Sequence, residues 1–506
     1  MNCGNQHENG GRSTIAIIGG GFTGAMLAVQ LLRRAAGNVH IVLIERDPRP
    51  GRGVAYGTQF NGHLLNVRAK NMSAYPDAPD HFVKWARQNH GISVEPDDFL
   101  PRPLYGQYIL AEFQAACGSH PGQLRCIQDE AVSLTRLGDV TEIGLASGQA
   151  VVAHKVVLAL GHFRPADLAL PAETANSSRY VSNPWSANIP LYANRDKSVL
   201  LIGSGLTSVD VATELRARGF EGIIHFLSRR GLLPQRHKAA VPFPSFWSGN
   251  SPRTVRGLLR LIRLEVKTAE IRGSDWRGVI DSLRPVTQQI WRTLPTVEQR
   301  RFLRHLRTYW DVHRHRVAER IGDELSRQLQ SGQIQIHAGR ITECHEENAC
   351  VEVAYRDRKT GKVMRLSVDR VVNCTGPESD YRRVASPLLN DLMDKGLAHP
   401  DELSLGLDVS DDGAVLNAQG TPSDFLYALG PLLKGKLWET IAVPELRVQV
   451  AELAELLLAA CGTTNGKHPS PQPTPSCHAR LTAEETRSPQ SPNGIRADTF
   501  TTRSIR

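Results

Sequence analysis

The sequence predicts an α/β protein with two parallel-sheet units, the second inserted into the first. Three observations carry this. A short apolar run, Ile15–Ile18, is followed by a glycine-rich turn, an apolar-periodic helix from Ala25 to Arg34 and a second apolar run, His40–Glu45. That is the order of a βαβ unit. The same order returns later as strand Ser198–Ile202, a second glycine-rich turn, helix 207–218 and strand 222–228. Residues 252–330 read as helical, because Val255, Leu258, Leu259, Ile262 and Val266 share one face.

Each further element follows from its pattern. Residues 105–117 read as a helix, and strands follow near 124–135, 140–146 and 150–159. The non-periodic stretch after Leu170 reads as an inter-unit connection. Strands return at 333–337, 350–355, 363–367 and 369–373, and a last helix covers 444–460 with Pro444 in its first turn. The expected organisation is a disordered lead (1–13), a first unit split into 14–195 and 370–461, and a second unit at 196–369 with a helical insertion at 232–330. Residues 462–506, rich in Pro, Ser and Thr, are expected to be a disordered tail.

Composition narrows the function classes. The 506 residues are 41% apolar and 22% charged, an ordinary globular balance. No run approaches the ~18 apolar residues of a membrane span. The polar start lacks a signal-peptide core, so a cytoplasmic protein without a membrane partner is expected. The eight cysteines form no CxxC pair, which points to free thiols and to no metal site. Residues 253–320 hold 16 Lys/Arg against 7 Asp/Glu, which accounts for the whole net charge of +9. Such a face can attract an anionic substrate, cofactor phosphates or an acidic partner. It lacks the aromatic-interleaved motifs of an RNA module, so no nucleic acid is expected.

Gly19-Gly20-Gly21-Phe22-Thr23-Gly24 fits GxGxxG, placed between a strand and a helix, and Glu45 ends the next strand. Each part has a physical role in a Rossmann-like, dinucleotide-binding fold. Gly19 permits the tight turn, Gly21 lets a pyrophosphate meet the backbone, and Gly24 lets helix and strand close up. The helix start offers free amides to phosphates, and Glu45 can accept from a ribose. The motif alone leaves FAD and NAD open. An N-terminal unit followed by a complete second unit is the layout of two-nucleotide flavoproteins, in which FAD takes the first site. Arg52, in the glycine-rich loop after Glu45, is a candidate phosphate contact.

Gly203-Ser204-Gly205-Leu206-Thr207-Ser208 gives GxGxxS. Its partner strand ends in Ser228-Arg229-Arg230, where an NAD site usually carries a carboxylate. A hydroxyl and two guanidiniums suit a 2′-phosphate, which favours NADPH over NADH.

With these residues in place the chain resembles the FAD–NAD(P)-binding proteins of the YdhS-like group, relatives of flavin-containing and N-hydroxylating monooxygenases. The stretches that carry the resemblance are 51–77, PRPLYGQY (101–108), NPW (183–185), HRHRVA (313–318), NCTGP (373–377) and 428–447. The resemblance implies two Rossmann-like domains, for FAD and NADP, joined through residues 156–162 and 371–377. It also implies that Gly430, Trp438, Glu439 and Thr440 lie near the flavin, Asn66 and Ser73 close to its isoalloxazine, and the Val132 backbone near its adenine. The activity it implies is hydride transfer from NADPH to FAD, then oxygen activation and oxygenation of a small-molecule substrate. Asn66, Trp310, His313 and Arg314 are the substrate-pocket candidates, with Trp276 and Trp291 shaping the wall and basic side chains suiting an acidic substrate. Two alternatives stay open: an NADPH-dependent flavin reductase or oxidase, and a redox-responsive FAD-binding interaction protein. The linker lacks the histidine of Baeyer–Villiger enzymes, and the chain lacks the cysteine pair of disulfide reductases.

Overall fold

The computed structural model describes residues 13–35, 39–90, 93–186, 193 and 195–462. The expected lead, apart from Ser13, and nearly all of the expected tail lie outside the described residues. The fold is α/β, as the sequence predicts. A six-stranded sheet runs in the order Ala414–Leu416, Pro422–Ala428, Lys155–Leu158, Ser13–Ile18, Val39–Glu45, Leu124–Gln128. It is parallel except at the pair 414–416 and 422–428. Its strands therefore come from both ends of the described chain, with a second sheet between them in sequence. That sheet has seven strands: Val363–Val368, Cys350–Asp357, Ile334–Glu347, Ile223–Ser228, Ser198–Ile202, Arg370–Asn373 and Tyr180–Val181.

The cores explain the layering. Helices Phe22–Arg34, Arg102–Ser119 and Val443–Gly462 bury their apolar sides on one face of the first sheet. The other face is covered by an antiparallel sheet (131–137, 140–145, 150–153) and by helix Pro387–Asp394. That helix starts at Ser386, whose hydroxyl accepts from the Leu389 amide. In the second sheet, helices Leu206–Ala217 and Glu319–Gln330 pack over strands 198–202 and 223–228.

Three boundaries differ from expectation. Arg370–Asn373 pairs with Tyr180–Val181 on one side and Val199–Ile202 on the other, so strands 180–181 and 370–373 complete the second sheet. Both strands are short and bracketed by loops, and composition alone does not say which sheet they join. Helix 319–330 is the crossover between the parallel strands 223–228 and 334–347, so the insertion ends before it. Ser13 already pairs with Val39. The inserted segment proper holds helices Val255–Ile271, Trp276–Ser282, Thr287–Thr293, Thr296–His305 and Arg307–Arg314.

Candidate functional site

The two glycine turns have the same geometry. Gly19 and Gly203 both adopt positive φ, 103° and 118°. A Cβ on Gly19 would stand 2.4 Å from the Ala159 carbonyl, and one on Gly203 would stand 2.4 Å from the Cys374 carbonyl. Only glycine fits beneath those crossing strands. The Gly19 amide donates to Ile44 O at 2.9 Å, and the Gly203 amide to Leu227 O at 2.8 Å. Gly21 and Gly205 each precede their helix with an extended backbone and no side-chain cap, so the helix-start amides remain available to an anion.

The third position separates the turns. A Cβ on Gly24 would lie 1.8 Å from Gly19 O, so helix Phe22–Arg34 can close on its strand only with glycine there. Ser208 fills the equivalent place in the second turn and is fully buried. The second position differs too. Gly20 donates its amide to Glu45, whose other oxygen accepts from the Asp47 amide at 2.8 Å. Ser204 instead donates to Ser228 Oγ at 2.8 Å and lies 2.6 Å from Leu232 O.

Around the first turn the chain leaves room and donors for a polar ligand. Gly51 donates to Gly20 O at 2.6 Å and folds loop 51–57 across the turn, bringing Gly53 Cα opposite Gly21. Arg52 Nε, Tyr105 Oη and Arg447 Nε are buried there without hydrogen-bond partners. Burial pushes the Tyr56 phenol up to about 12 and the Tyr105 phenol well above its usual value. Buried donors left unmatched in this way are costly unless something accepts from them. A diphosphate with its ribityl chain supplies such acceptors. Phe22 sits against Tyr56 and Tyr105, and Thr23 Cγ2 is 3.4 Å from where a Gly430 Cβ would be.

The remaining expected residues take distinct places. Val132 is the extra residue of a bulge between Ala131 and Ser133, a position that leaves backbone groups outside the ladder. Ser73 is fully buried, and its hydroxyl is used within its own loop, on Ala78 O at 2.6 Å. Its carbonyl accepts from Arg447 at 3.1 Å. Asn66 O accepts from His237 at 3.1 Å. Thr440 donates to Gly430 O at 3.0 Å, which ties the loop before helix 443–462 to Gly430, beside Thr23 of the first glycine turn. Trp438 stands in that loop at φ 60°, stacked on Trp291 with ring centres 5.0 Å apart.

At the second site the candidates divide. Ser228 Oγ is taken by the turn itself, accepting from Ser204 and from the Gly231 amide at 3.0 Å. Arg230 points to the inserted helices, within 3.2 Å of His305 O and over the Tyr309 ring. Arg229 is exposed beside the turn. Leu206 packs into the second core, while Gly205 borders open space, with no neighbour within 4 Å of where a Cβ would stand.

The substrate-pocket candidates also divide. Trp310 and His313 line an apolar cavity of 860 Å³ among the inserted helices, together with Trp276, Trp291 and Trp438. Arg314 instead lies buried between Glu439 (3.5 Å) and Glu445 (3.8 Å). Burial raises the Glu439 carboxyl, but neighbouring His315, Arg314 and Trp310 outweigh it and hold it down at about 2. Asn66 does not line this cavity.

Sequence reasoning missed one cluster. His63 sits between Thr58 (2.8 Å), Asp210 O (3.2 Å) and Glu214 (3.5 Å), and Arg102 pairs with Asp210 at 2.8 Å. It joins the loop after the first glycine turn to the helix that follows the second. Arg102 lies in PRPLYGQY and His63 in the stretch 51–77, so the signal was the density of unusual residues there. All six described cysteines are free thiols, and burial pushes Cys344 up to about 11 and Cys374 up to about 12. Among the described residues no helix is long and apolar enough to cross a membrane, and no His/Cys/Asp/Glu group could hold a metal ion.

No curated protein matches the sequence. Solved structures do resemble the fold. L-lysine 6-monooxygenase from Pseudomonas syringae aligns with TM-score 0.62 at 15% identity, covering 89% of this chain and all of that one. Ornithine N-hydroxylase from Kutzneria sp. 744 aligns at 0.58 and 12%, covering 88% and 99%. Cadaverine monooxygenase from Erwinia amylovora, solved with FAD, aligns at 0.58 and 14%, covering 92% and 99%. Residues 16–163, which hold the first glycine turn, Glu45, Arg52 and Val132, match the FAD-NAD(P)-binding family.

Proposed function

We propose that the chain is an FAD-dependent NADPH oxidoreductase that oxygenates a small molecule. The observation that carries this is the pair of glycine turns of like geometry with different second and third positions. The first, with Glu45, a glycine-bridged loop and unmatched buried donors, suits FAD. The second, with an exposed Arg229 and no carboxylate, suits NADPH. The fold shared with three amine and amino-acid monooxygenases is compatible with oxygenation. Cys344 and Cys374 are buried with raised pKa, which argues against their taking part in thiol–disulfide chemistry, since that needs an accessible thiolate.

When bound, FAD supplies the redox chemistry, with the balance substrate + O₂ + NADPH + H⁺ giving oxygenated substrate + H₂O + NADP⁺. The chain's own work is positioning. The helix-start amides after Gly21 and Gly205 hold the two pyrophosphates. Glu45 holds the adenosine ribose of the first nucleotide, and Arg229 the 2′-phosphate of the second. The loop 438–442 and the start of helix 443–462 would lie toward bound flavin, where the positive end of the helix dipole would favour negative charge. Trp310 and Trp438 close the apolar side and exclude water.

The test is anaerobic reduction of the purified yellow protein by NADPH, followed by oxygen addition, recording the flavin spectrum, oxygen uptake and peroxide. Flavin that NADPH cannot reduce overturns the reading. Stoichiometric peroxide with every substrate offered assigns the protein as an oxidase instead.

A further inference from the structure

The geometry points to the 860 Å³ cavity of the inserted helices as the binding site of a bulky, uncharged apolar substrate, such as an arylamine or a thioether, held against Trp310 and Trp438. This rests on the oxidoreductase reading for its chemistry, but the binding argument stands on the cavity itself.

Helix Val255–Ile271 shows the first sign. Of its 17 residues, only Val255 and Ala269 are buried. Its apolar stripe, Leu258, Leu259, Ile262 and Val266, lines the cavity, with Leu258 also packed against the buried cluster around Trp291. Protein interiors are close-packed, and an apolar void much smaller than this already binds small hydrocarbons. The volume falls within the roughly 300–1,000 Å³ of small-molecule sites. Trp247, Trp276, Trp310 and Trp438 line the same cavity and give it flat apolar walls.

The cavity is also connected to the first glycine turn. Trp310 donates to Glu439 at 3.1 Å, Thr440 follows in the chain and donates to Gly430 O, and Gly430 abuts Thr23. A ligand held against Trp438 therefore touches the loop proposed to face the flavin.

The chemistry of the wall selects against charged substrates. The amines and amino acids named for the structural neighbours carry ammonium groups, which need a carboxylate when desolvated. Glu439, the carboxylate that the lining Trp310 contacts, is already shared with Arg314 and His315. Glu270 is on the wall but exposed, and Arg263 and Lys267 on the same helix oppose a cation. An uncharged or weakly basic amine, or a thioether, meets no such cost.

The probe is N-phenyl-1-naphthylamine, titrated by fluorescence into the FAD-loaded protein. Saturable binding is expected. Leu259→Trp, which fills the cavity, should weaken it at least tenfold. Leu264→Ser, on the exposed side of the same helix, should leave it unchanged and serves as the folding control. N,N-dimethylaniline and thioanisole should displace the probe and raise NADPH-dependent oxygen uptake, whereas ornithine, lysine and cadaverine should do neither. Absence of saturable binding, full affinity in Leu259→Trp, or displacement by the diamine would overturn the assignment. A shift of oligomeric state in Leu259→Trp with probe affinity retained would also overturn it, making the cavity a contact between copies. Flavin content and NADPH-driven reduction are read on the same samples. Their loss with probe binding intact would defeat the oxidoreductase reading alone, and their persistence without probe binding would defeat the cavity assignment alone.

Discussion

The Trp310 indole N–H donates to the Glu439 carboxylate at 3.1 Å, joining the wall of the apolar cavity to a loop adjoining the first glycine turn. The same carboxylate is the partner of Arg314, only 9% of whose side chain is exposed. Glu439→Gln would leave that guanidinium buried with Glu445 alone, at 3.8 Å. Breaking one side of a buried ion pair costs roughly 3–5 kcal/mol. Thermal unfolding at matched flavin occupancy should show a large loss for Glu439→Gln. Trp310→Phe, which removes a single hydrogen bond to a charged group, should cost about 1.5–3 kcal/mol.

Gly24 and Gly205 should respond in opposite ways to alanine. At Gly24 a Cβ would lie 1.8 Å from a backbone oxygen that cannot move aside, so Gly24→Ala should lower both stability and flavin content. At Gly205 the added methyl meets nothing, and φ is −86°. Gly205→Ala should therefore fold normally and keep its flavin, yet bind NADPH more weakly, because the methyl occupies the approach of the pyrophosphate. Calorimetry and stopped-flow flavin reduction separate these outcomes.

Arg229 and Arg230 carry different expectations. A charge-assisted contact to a 2′-phosphate contributes roughly 1.5–3 kcal/mol, on the order of a ten- to hundredfold change in binding. Arg229→Ala should weaken NADPH by about that factor and leave NADH nearly unchanged. Arg230→Ala removes contacts to His305 O and Tyr309, so its effect should appear in thermal stability instead. Equal affinity for both nucleotides in wild type and Arg229→Ala would remove the NADPH preference.

Acid should destabilise the fold between pH 6.5 and 4. Burial pushes His225 and His237 down to about 4, with His337 beside His225 and Arg316 beside His237 acting in the same direction. A folded state that disfavours the protonated ring is fully stable above the unfolded value near 6.5. That stability is lost as pH falls through 6.5 toward 4, because the unfolded chain binds the extra protons. His225, 8% exposed, contributes at most about 3 kcal/mol. Thermal midpoints measured from pH 7 to 4 should fall, and His225→Gln should flatten the curve.

Much of the first sheet was legible because its signals are local. Ile15–Ile18, Gly19 and Glu45 lie within one βαβ unit, and strand, turn and acidic end follow from spacing alone. Arg370–Asn373 was harder. Its membership in the second sheet depends on pairing with Val199–Ile202, far away in sequence. Strands 414–416 and 422–428 went unread, the first being only three residues long and the second opening on a proline and polar residues. Among the site residues, Arg229 and Arg230 looked equivalent in sequence, and only the position of helix Thr296–His305 distinguishes them. The cavity was partly visible as the face Val255, Leu258, Leu259, Ile262 and Val266. Periodicity shows that a face is apolar, but not whether protein or ligand covers it.

Helix Val255–Ile271 has a consequence for the energetics of the whole inserted segment. With two buried residues in 17, it should rank among the first elements to open, and its amides should exchange with solvent well before those of the sheets. An apolar molecule in the cavity would act as the missing inner layer of a small core. By mass action it stabilises only the closed form, by about 2.7 kcal/mol at a hundredfold excess over its dissociation constant. Slowed deuterium uptake across residues 255–271 would then report occupancy directly, with no turnover required.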